Sequence, residues 1–425
     1  MKWAIYNLLF LIVYPFLLPG FLLRMLRRGG YKARMGDRFA LYPAGLIKAN
    51  DYVWIHAVSV GEVQVAGQLM REWRTAEPSV KFCFSTTSST GWKMAEKEVK
   101  EGDVLIYNPL DFPTFVTAAL KRVKPRAIVL TESEIWPNFI LKARKMNIPL
   151  FLINARVSDR SAPRYKKAKW FFSDVLNAFT KVFAQSELDA DRLKAAGLRE
   201  EKVEVTGSFK FDVAHRNEAK EKELREWIGE GKLLIGGSTW PGEDEVLLKI
   251  YKALISTPTP TPTPKLVIAP RHFEKADQVE ANIKAAGFEC LRRSRNDSAL
   301  RLKSTATPPV YLADTTGELM GLYGIGEVVF VGKSLCEHGS QNMIESCLCG
   351  KPTIVGPYTE NFRPVMSDLK EGEGIVQVQN AEELEREILR LFKDDGGLGK
   401  RAQAAVSRRT GVVPKCVKAI REAIG

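Results

Sequence analysis

Histidine and cysteine are scarce in this chain of 425 residues, which contains four histidines and six cysteines. With so few histidines, a nucleophilic triad built around histidine is poorly supported. His56 lies within a strand-like run, and we expect a core residue with satisfied polar atoms rather than a catalyst. The cysteines are spaced irregularly, which argues against a disulfide framework and indicates a reducing compartment.

Metal-binding patterns are also lacking. No two cysteines have the C-x-x-C spacing that is typical of zinc sites. Small buried cysteines explain the remaining set better than a metal does. That set is Cys336, His338, Cys347 and Cys349. A D-x-D triplet occurs at Asp189 and Asp191, but Ser186 and Asp189 have the spacing of a helix cap. We therefore predict no metal site.

Acidic residues are outnumbered, with 50 Asp and Glu against 63 Lys and Arg, and the formal net charge is +13. This excess implies an acidic partner, which is a nucleic acid, an anionic membrane surface or a phosphorylated substrate. No RNA- or DNA-binding motif appears, and the basic residues concentrate near the N-terminus. We therefore expect no nucleic-acid partner.

Charge is absent from residues 3–23, an apolar run of about the 20 residues that span a bilayer as a helix. Pro15 and Pro19 also allow a kinked or interfacial anchor. A basic cluster follows, which predicts contact with anionic lipids and a main body on the cytoplasmic side. It comprises Arg24, Arg27, Arg28, Lys32, Arg34 and Arg38. The alternative is that this N-terminal helix packs on the protein itself.

After the predicted anchor, residues 1–28, short β-type runs alternate with helical patterns. Such alternation predicts parallel sheets built from βα units, in two Rossmann-like doubly wound α/β domains facing each other across a cleft. The first domain is predicted over 29–213 and the second over 232–405, with a charged linker at 214–231. Residues 406–425 are a C-terminal helix that can return to the first domain. The repeat TPTPTPTP at 257–264 lies inside a βα unit and is interpreted as a stiff loop insertion.

The stretch Trp54–Glu62, WIHAVSVGE, ends a predicted strand with a carboxylate at the start of a helix. Ligands of open α/β sheets bind at such strand ends, and an ionised Glu62 within reach of a hydroxyl is a candidate general base. Ser59 and Glu62 also form a capping box, which needs no function. The stretch alone is equally consistent with both. Glu132 and Glu134 follow another strand and are candidates for orienting this base or binding hydroxyls.

The second half contains the candidates for binding a phosphate. Gly236, Gly237, Ser238 and Thr239 follow a strand and are predicted to form an anion seat, although such a turn is commonly only a turn. Arg271, between Pro270 and His272, is suited to pair a phosphate or carboxylate. Asn342 and Glu345 share one helix face, and a carboxylate there suits ribose hydroxyls.

A basic stretch in the first half, NARVSDRSAPRYKKAK, includes Arg156 and Arg160. A solvated helix face is the commoner explanation for such a run. Near a membrane anchor and a carboxylate base, a seat for a phosphorylated lipid head group is the competing interpretation.

Several motifs together resemble a known family. HAVSVGE, TESEIWPN, NARVSDRS, GSFKFD, APRH and the ending from Gly350 to Phe362 are similar to those of bacterial 3-deoxy-D-manno-octulosonic acid (Kdo) transferases. The resemblance implies the glycosyltransferase-B (GT-B) fold, a CMP-Kdo donor and a lipid A precursor as acceptor, in lipopolysaccharide core synthesis at the inner membrane. It further implies a metal-independent reaction that inverts the anomeric centre without a cofactor.

The resemblance also assigns roles to residues. Glu62 matches the general base, and Glu132 and Glu134 match the E-x-E acids. Independently of these matches, acceptor binding is expected of Ser59, Gly61, Arg156, Arg160 and Lys210. The P-R-H motif, Pro270, Arg271 and His272, the G-E-L motif, Gly317, Glu318 and Leu319, and Asn342 with Glu345 match the CMP-binding positions. To these the residue pattern adds Gly236, Gly237, Ser238 and Thr239 as expected CMP-sugar contacts. One departure is that Ser340 and Gln341 replace the usual glycine and histidine, which puts the detail of phosphate binding in doubt.

Two other functions remain open from the residues. One is a transferase of the same fold that uses a UDP-sugar. The other is a non-catalytic basic protein that binds a membrane or nucleic acid.

Overall fold

The computed structural model describes residues 2–8, 10–12, 16, 20, 34–212, 217–256, 263–297 and 308–425. Much of the predicted anchor, its basic cluster up to Lys32 and most of the TPTPTPTP insertion lie outside these residues. The chain divides into two compact units. Unit 1 comprises Met1–Asp212 and Gly411–Gly425, and unit 2 comprises Val213–Thr410.

Unit 1 is built on a parallel sheet with the strand order β3-β2-β1-β4-β5-β6-β7. The strands are β1 Val53–His56, β2 Phe82–Thr86, β3 Val104–Tyr107, β4 Ala127–Thr131, β5 Leu150–Ala155, β6 Lys181–Ala184 and β7 Val203–Val205. The chain winds outward from β1 to β3 and then returns to place β4 on the other side of β1. The carboxyl ends of β1 and β4 therefore form the topological switch point, where open α/β sheets bind ligands.

Helices flank this sheet, and every residue of its central strands β1, β2, β4 and β5 is buried. The helices are α1 Val60–Ala76, α2 Ser89–Ala95, α3 Pro113–Val123, α4 Pro137–Lys145, α5 Ala162–Lys167, α6 Lys169–Leu176 and α7 Glu187–Ala195. Short 3₁₀ turns occur at Met35–Phe39, Glu200–Lys202 and Phe209–Phe211. Burial on both faces explains why these strands appear in the sequence as continuous apolar runs.

Unit 2 has a second parallel sheet, with the order β10-β11-β9-β8-β12-β13-β14. Its strands are β8 Leu233–Thr239, β9 Lys265–Pro270, β10 Cys290–Arg292, β11 Val310–Leu312, β12 Val328–Val331, β13 Thr353–Val355 and β14 Val376–Gln377. Its helices are α8 Glu218–Ile228, α9 Glu243–Ser256, α10 Ala276–Ala285, α11 Leu319–Ile325, α12 Ile344–Leu348, α13 Arg363–Glu371, α14 Ala381–Lys393 and α15 Leu398–Ser407. The switch point of this sheet lies between β8 and β12.

Two segments bear on the predicted domain bounds. Residues 214–231 contain α8, which is part of unit 2 and buries Leu224, Trp227 and Ile228 there. The last helix, α16 Val412–Ile424, belongs to unit 1 and packs against α1. The apolar spacing in α8 is obscured in the sequence by its many charges.

The described N-terminal residues 2–8 and 10–12 are helical and contact the rest of unit 1. The Trp3 ring lies 4.9 Å from that of Phe171, and the Tyr6 hydroxyl donates to Asp111 Oδ2 at 3.0 Å. Large apolar side chains of the same segment are about half exposed or more. They are Ile5, Leu8, Leu11, Ile12 and Phe16. Within the described ranges, no helix is both long enough and apolar enough to cross a bilayer.

Candidate functional site

Glu62 lies in the first turn of α1, directly after β1 and at the switch point of unit 1. Ser59 caps the helix by accepting from Glu62 N at 3.2 Å, and its hydroxyl donates to Glu62 Oε1 at 2.9 Å. Oε2 accepts from Val58 N and from Thr131 Oγ1, both at 3.0 Å. The capping box is therefore present, and it also fixes a nearly buried carboxylate at the strand end. Capping and catalysis are compatible here.

Glu132 follows β4 with a left-handed backbone, φ +48°, and its N–H donates to Ile153 O at 2.9 Å. Burial raises the pKa of its carboxyl, while the positive charges of Arg156 and Lys210 oppose that rise. Burial also lowers the pKa of Lys210. Arg156 and Lys210 are therefore near enough to the Glu132 carboxyl to affect its pKa, although the three residues are far apart in the sequence.

Asn154 connects this cluster and was missed in the sequence. Its side chain is fully buried, with Nδ2 donating to Glu132 Oε1 at 3.3 Å and Oδ1 accepting from Phe209 N at 3.1 Å. Phe209 begins the 3₁₀ turn that carries Lys210. The polar residue in an otherwise apolar strand, PLFLINAR, is the signal that could have identified it.

Glu134 accepts a hydrogen bond from Trp136 Nε1 at 2.7 Å, and its Oε2 lies 3.6 Å from His56 Nε2. His56 is fully buried, as expected, and its Nδ1 lies 2.9 Å from Ser85 Oγ. The expectation that all its polar atoms are satisfied holds for Nδ1 only. Nε2 has no hydrogen-bond partner among the described residues and faces the Glu134 carboxylate.

No hydrogen bond or ion pair within the described residues joins Arg160 to this cluster. Arg160 lies on an exposed turn before α5, in a basic stretch whose charged side chains are mostly exposed. Ser59 and Gly61 are exposed at the start of α1. Asp189 of the D-x-D triplet accepts from Val157 N at 2.8 Å and from the Ser186 hydroxyl at 2.6 Å. That carboxylate serves as a cap.

The candidate residues of unit 2 lie around the end of β8. Gly236 and Gly237 are buried inside the strand and paired with β9 and β12, so they do not form the predicted open turn. A Cβ atom on Gly237 would lie 2.2 Å from the Tyr323 hydroxyl oxygen, so this glycine serves close packing. Only Ser238 and Thr239 reach the strand end.

Glu345 and Asn342 are hydrogen-bonded to each other, with Asn342 Nδ2 donating to Glu345 Oε1 at 3.0 Å. Burial raises the pKa of Glu345, and the charge of Arg271 opposes that rise. Arg271 is exposed, and its backbone N–H donates to Thr239 O at 3.0 Å. The acid, the amide and the arginine therefore lie together at the strand ends.

Ser340 and Gln341, which depart from the family pattern, lie in a segment whose backbone is bonded to Asn361. The sequence analysis did not identify Asn361. Asn361 Oδ1 accepts from Ser340 N and Asn361 Nδ2 donates to Ser340 O, each at 3.0 Å. Gln341 N donates to Gly332 O at 3.1 Å. The backbone of this segment is thereby fixed next to β12.

Glu318, predicted to bind the nucleotide, is already paired within unit 2. Its carboxylate forms ion pairs with Arg293 at 3.0 Å and Lys220 at 3.4 Å. Burial alone would raise the pKa of Glu318, but Arg293 and Thr315 lower it. Gly317 is exposed with φ +85°, whereas Leu319 begins α11. Of this motif, the exposed Gly317 backbone is better placed for a ligand than the Glu318 side chain.

A cavity of about 290 Å³ lies beside the end of β8. Its walls include Trp240, Asp244, Glu245, His272, Gln278 and Asn282. The rings of Trp240 and His272 lie edge to face at 4.8 Å. A large aromatic wall with carboxylate and amide groups is a surface that suits a polar ligand with hydroxyls.

Comparison with known proteins agrees with the motifs. Residues 33–213 match the family model described as 3-deoxy-D-manno-octulosonic-acid transferase (kdotransferase). The chain is 33% identical to the enzyme of that name from Haemophilus influenzae, over 91% of this chain and 90% of the relative. It is 30% identical to the one from Bordetella pertussis, over 92% and 91%.

Among solved structures, a glycosyltransferase from Rickettsia africae has a TM-score of 0.55 at 14% identity, covering 88% of this chain and 99% of that one. At this identity the likeness shows the fold alone, and the two parallel-sheet α/β units resemble those of GT-B glycosyltransferases. The resemblance drawn from the motifs is confirmed. The chain belongs to the 3-deoxy-D-manno-octulosonic acid transferase family and is a glycosyltransferase.

Proposed function

We propose that this enzyme transfers Kdo from CMP-Kdo to a hydroxyl of a lipid A precursor during lipopolysaccharide core synthesis, with inversion and without a metal or cofactor. The names of the relatives support Kdo as the transferred sugar. The observation that carries the chemistry is the Glu62 carboxylate, held by three neutral donors at the switch point of unit 1.

Glu62 has the properties of a general base. A carboxylate offers about four acceptor positions, and Val58 N, the Ser59 hydroxyl and the Thr131 hydroxyl occupy three. One position remains for the acceptor hydroxyl. As Glu62 takes that proton, the acceptor oxygen bonds to the anomeric carbon of Kdo from the face opposite CMP. The bond to the phosphate oxygen breaks, its electron pair stays on CMP, and the configuration inverts.

The cluster of Glu132, Arg156 and Lys210 is the proposed seat for the acceptor. Its basic groups suit an anionic group of a phosphorylated lipid, and Glu132 suits a sugar hydroxyl. Arg156 and Lys210 supply positive charge beside Glu132, so the seat can receive a negatively charged group.

Unit 2 is the proposed donor site. The Glu345 carboxylate, oriented by Asn342, would accept hydrogen bonds from the ribose hydroxyls of CMP. Arg271 is close enough to influence the pKa of Glu345 and is exposed for contact with the nucleotide phosphate. Positive charge at the leaving phosphate stabilises the transition state, because negative charge develops there.

We further propose that the enzyme works at the cytoplasmic face of the inner membrane, with residues 1–28 as the anchor. The exposed apolar side chains among residues 5–16 and the adjacent basic sequence support this.

The test is mass spectrometry of a lipid A precursor after incubation with detergent-purified enzyme and fresh CMP-Kdo, with a chelator present. We expect the mass of one or more Kdo units to be added. Glu62→Gln should lower the rate by about 10²- to 10⁴-fold, as loss of a general base does, with CMP affinity unchanged. Glu72→Gln is the matched control, since it makes the same change on the same helix.

Three results would contradict the proposal. Transfer by Glu62→Gln at the wild-type rate would remove Glu62 as the base. Loss of activity with the chelator, restored by a divalent cation, would remove the metal-independent mechanism. Tighter binding of UDP than of CMP would favour the UDP-sugar alternative.

A further inference from the structure

Lys333 has an unusual backbone for its position. It follows β12 at the switch point of unit 2 with φ +55°, a left-handed conformation that glycine adopts freely and side-chain-bearing residues rarely adopt. Such outliers persist only where the surroundings enforce them, and they cluster at ligand sites.

The Glu243 side chain holds this backbone conformation in place. Its carboxylate is fully buried and accepts from Lys333 N at 2.8 Å, Ser334 N at 3.1 Å and Leu335 N at 3.0 Å. The same carboxylate accepts from Trp240 N at 2.8 Å. One buried acid therefore fixes the backbone after β12 and the backbone after β8 relative to each other.

The Lys333 side chain extends over the Trp240 indole, with Nζ 4.9 Å from the ring centroid. No carboxylate of the described residues lies within ion-pair distance of this Nζ. Trp240 also forms one wall of the 290 Å³ cavity beside β8. The arrangement holds a positive charge on an aromatic surface next to a cavity that suits hydroxyl groups.

We propose that Lys333 binds the carboxylate of the donor sugar and that the Trp240 ring holds the lysine in place. This inference rests on the proposed function, because the donor then carries two anions, a phosphate and the carboxylate of a sugar acid. Arg271 follows β9 and Lys333 follows β12, the two strands that flank β8. The two anions are thus matched by two basic residues on either side of one strand end, and Lys333 sets specificity for an acidic sugar.

The decisive variant is Lys333→Gly, because glycine fits the left-handed backbone and the fold is retained while the charge is lost. Lys333→Arg keeps the charge, and Lys249→Met removes one charge from an exposed position on α9 as a matched control. The measurements are the KM for CMP-Kdo, the inhibition constant of CMP and the melting temperature.

We expect Lys333→Gly to raise the KM for CMP-Kdo about 10- to 100-fold, the effect of losing a charge-assisted hydrogen bond. The CMP inhibition constant should stay within about 2-fold, since CMP lacks the carboxylate. Lys333→Arg should recover much of the affinity, and Lys249→Met should behave as wild type.

If Lys333→Gly weakens the binding of CMP as much as that of CMP-Kdo, the assignment is overturned, because the lysine would then bind the phosphate. An unchanged KM for CMP-Kdo would overturn it too. In both cases the wild-type enzyme still transfers Kdo, so the proposed function stands. If wild-type enzyme transfers no Kdo, the proposed function fails and this inference fails with it.

Discussion

Glu132 combines burial, a left-handed backbone and two neighbouring cations. A carboxyl whose pKa is raised on folding costs stability once it ionises, and proteins keep such costs mainly where function needs them. Its position beside Glu62 fits the role in acceptor binding that we propose for Glu132.

We predict that Glu132→Gln lowers transfer by about 10- to 100-fold, the effect of losing a charge-assisted hydrogen bond, and stabilises the folded protein near neutral pH. Below the ordinary pKa of 4.5 the carboxyl is protonated in both the folded and the unfolded protein, so the substitution adds no stability there. As pH rises past that value the unfolded chain loses its proton first, and wild-type stability falls until the raised pKa is passed. Denaturant unfolding at pH 4 and pH 7.5 measures the difference. A gain in stability that is equal at pH 4 and pH 7.5 would contradict the prediction.

At the scale of single residues, functional candidates could be identified from the sequence more readily than the side chains that contact them. Glu62 was recognisable as a cap and as a candidate base, because both depend on local spacing. Asn154, Glu132 and Lys210 come together only because β5, the end of β4 and the turn after β7 meet at one sheet edge. No local pattern encodes such a contact, and the ion pair of Glu318 with Arg293, 25 residues earlier in the chain, is likewise not encoded locally.

Among the elements, the C-terminal helix α16 depends on one carboxylate. Asp212 accepts from Gly411 N at 2.7 Å and from Val413 N at 2.6 Å, which caps the helix. The buried face of α16 includes Val413, Val417 and Ile420. Its packing against α1 links the end of the chain to the helix that carries Glu62.

We therefore predict that Asp212→Ala lowers the free energy of unfolding by about 1–2 kcal/mol, the usual cost of losing a cap. Glu422→Ala, on the exposed side of the same helix, should change it by less than about 0.5 kcal/mol. Urea denaturation followed by tryptophan fluorescence measures both. Equal stability of Asp212→Ala and wild type would show that α16 is held by its apolar face alone.

The loop after β12 gives a second prediction at this scale. Glu243→Gln places an amide N–H₂ against backbone donors that now face a carboxylate, so we expect a loss of about 2 kcal/mol or more. CMP-Kdo affinity should fall as well, since this loop carries Lys333. Glu226→Gln, the same change at an exposed position on α8 of unit 2, is the control. Full stability of Glu243→Gln in chemical denaturation would refute the role given to the buried acid.

Most strands could be predicted, because β-branched and aromatic runs buried on both faces are unambiguous over four to six residues. Helix α8 was harder to recognise. Its three buried apolar residues stand among charges, and only their contact with unit 2 distinguishes it from a solvated linker.

At the scale of the whole molecule, charge and apolar surface combine near the N-terminus. The net charge is +13, and exposed apolar groups occur on the N-terminal helical residues and at Trp170, which is 64% exposed. Trp170 lies on α6 next to Phe171, the residue that contacts Trp3.

We predict that the protein binds anionic vesicles more tightly than zwitterionic ones and that binding weakens as salt screens the charges. Trp170→Ala should weaken binding by about 10-fold, from lost aromatic burial in the interface. Phe273→Ala removes an exposed ring from unit 2 and should change vesicle binding little. Vesicle flotation at low and high salt measures these differences. Binding that ignores lipid charge and salt would contradict the prediction.

Unit 1 is completed by the last fifteen residues of the chain, Gly411–Gly425, after the whole of unit 2 has been synthesised. A ribosome adds about 5–20 residues per second, so roughly 10 to 40 seconds separate the synthesis of Asp212 from that of Gly411. During that interval the apolar face of α1 lacks its C-terminal cover. The half of the enzyme that is made first is thus finished last, and an incompletely translated chain remains recognisable to chaperones and proteases by that uncovered surface.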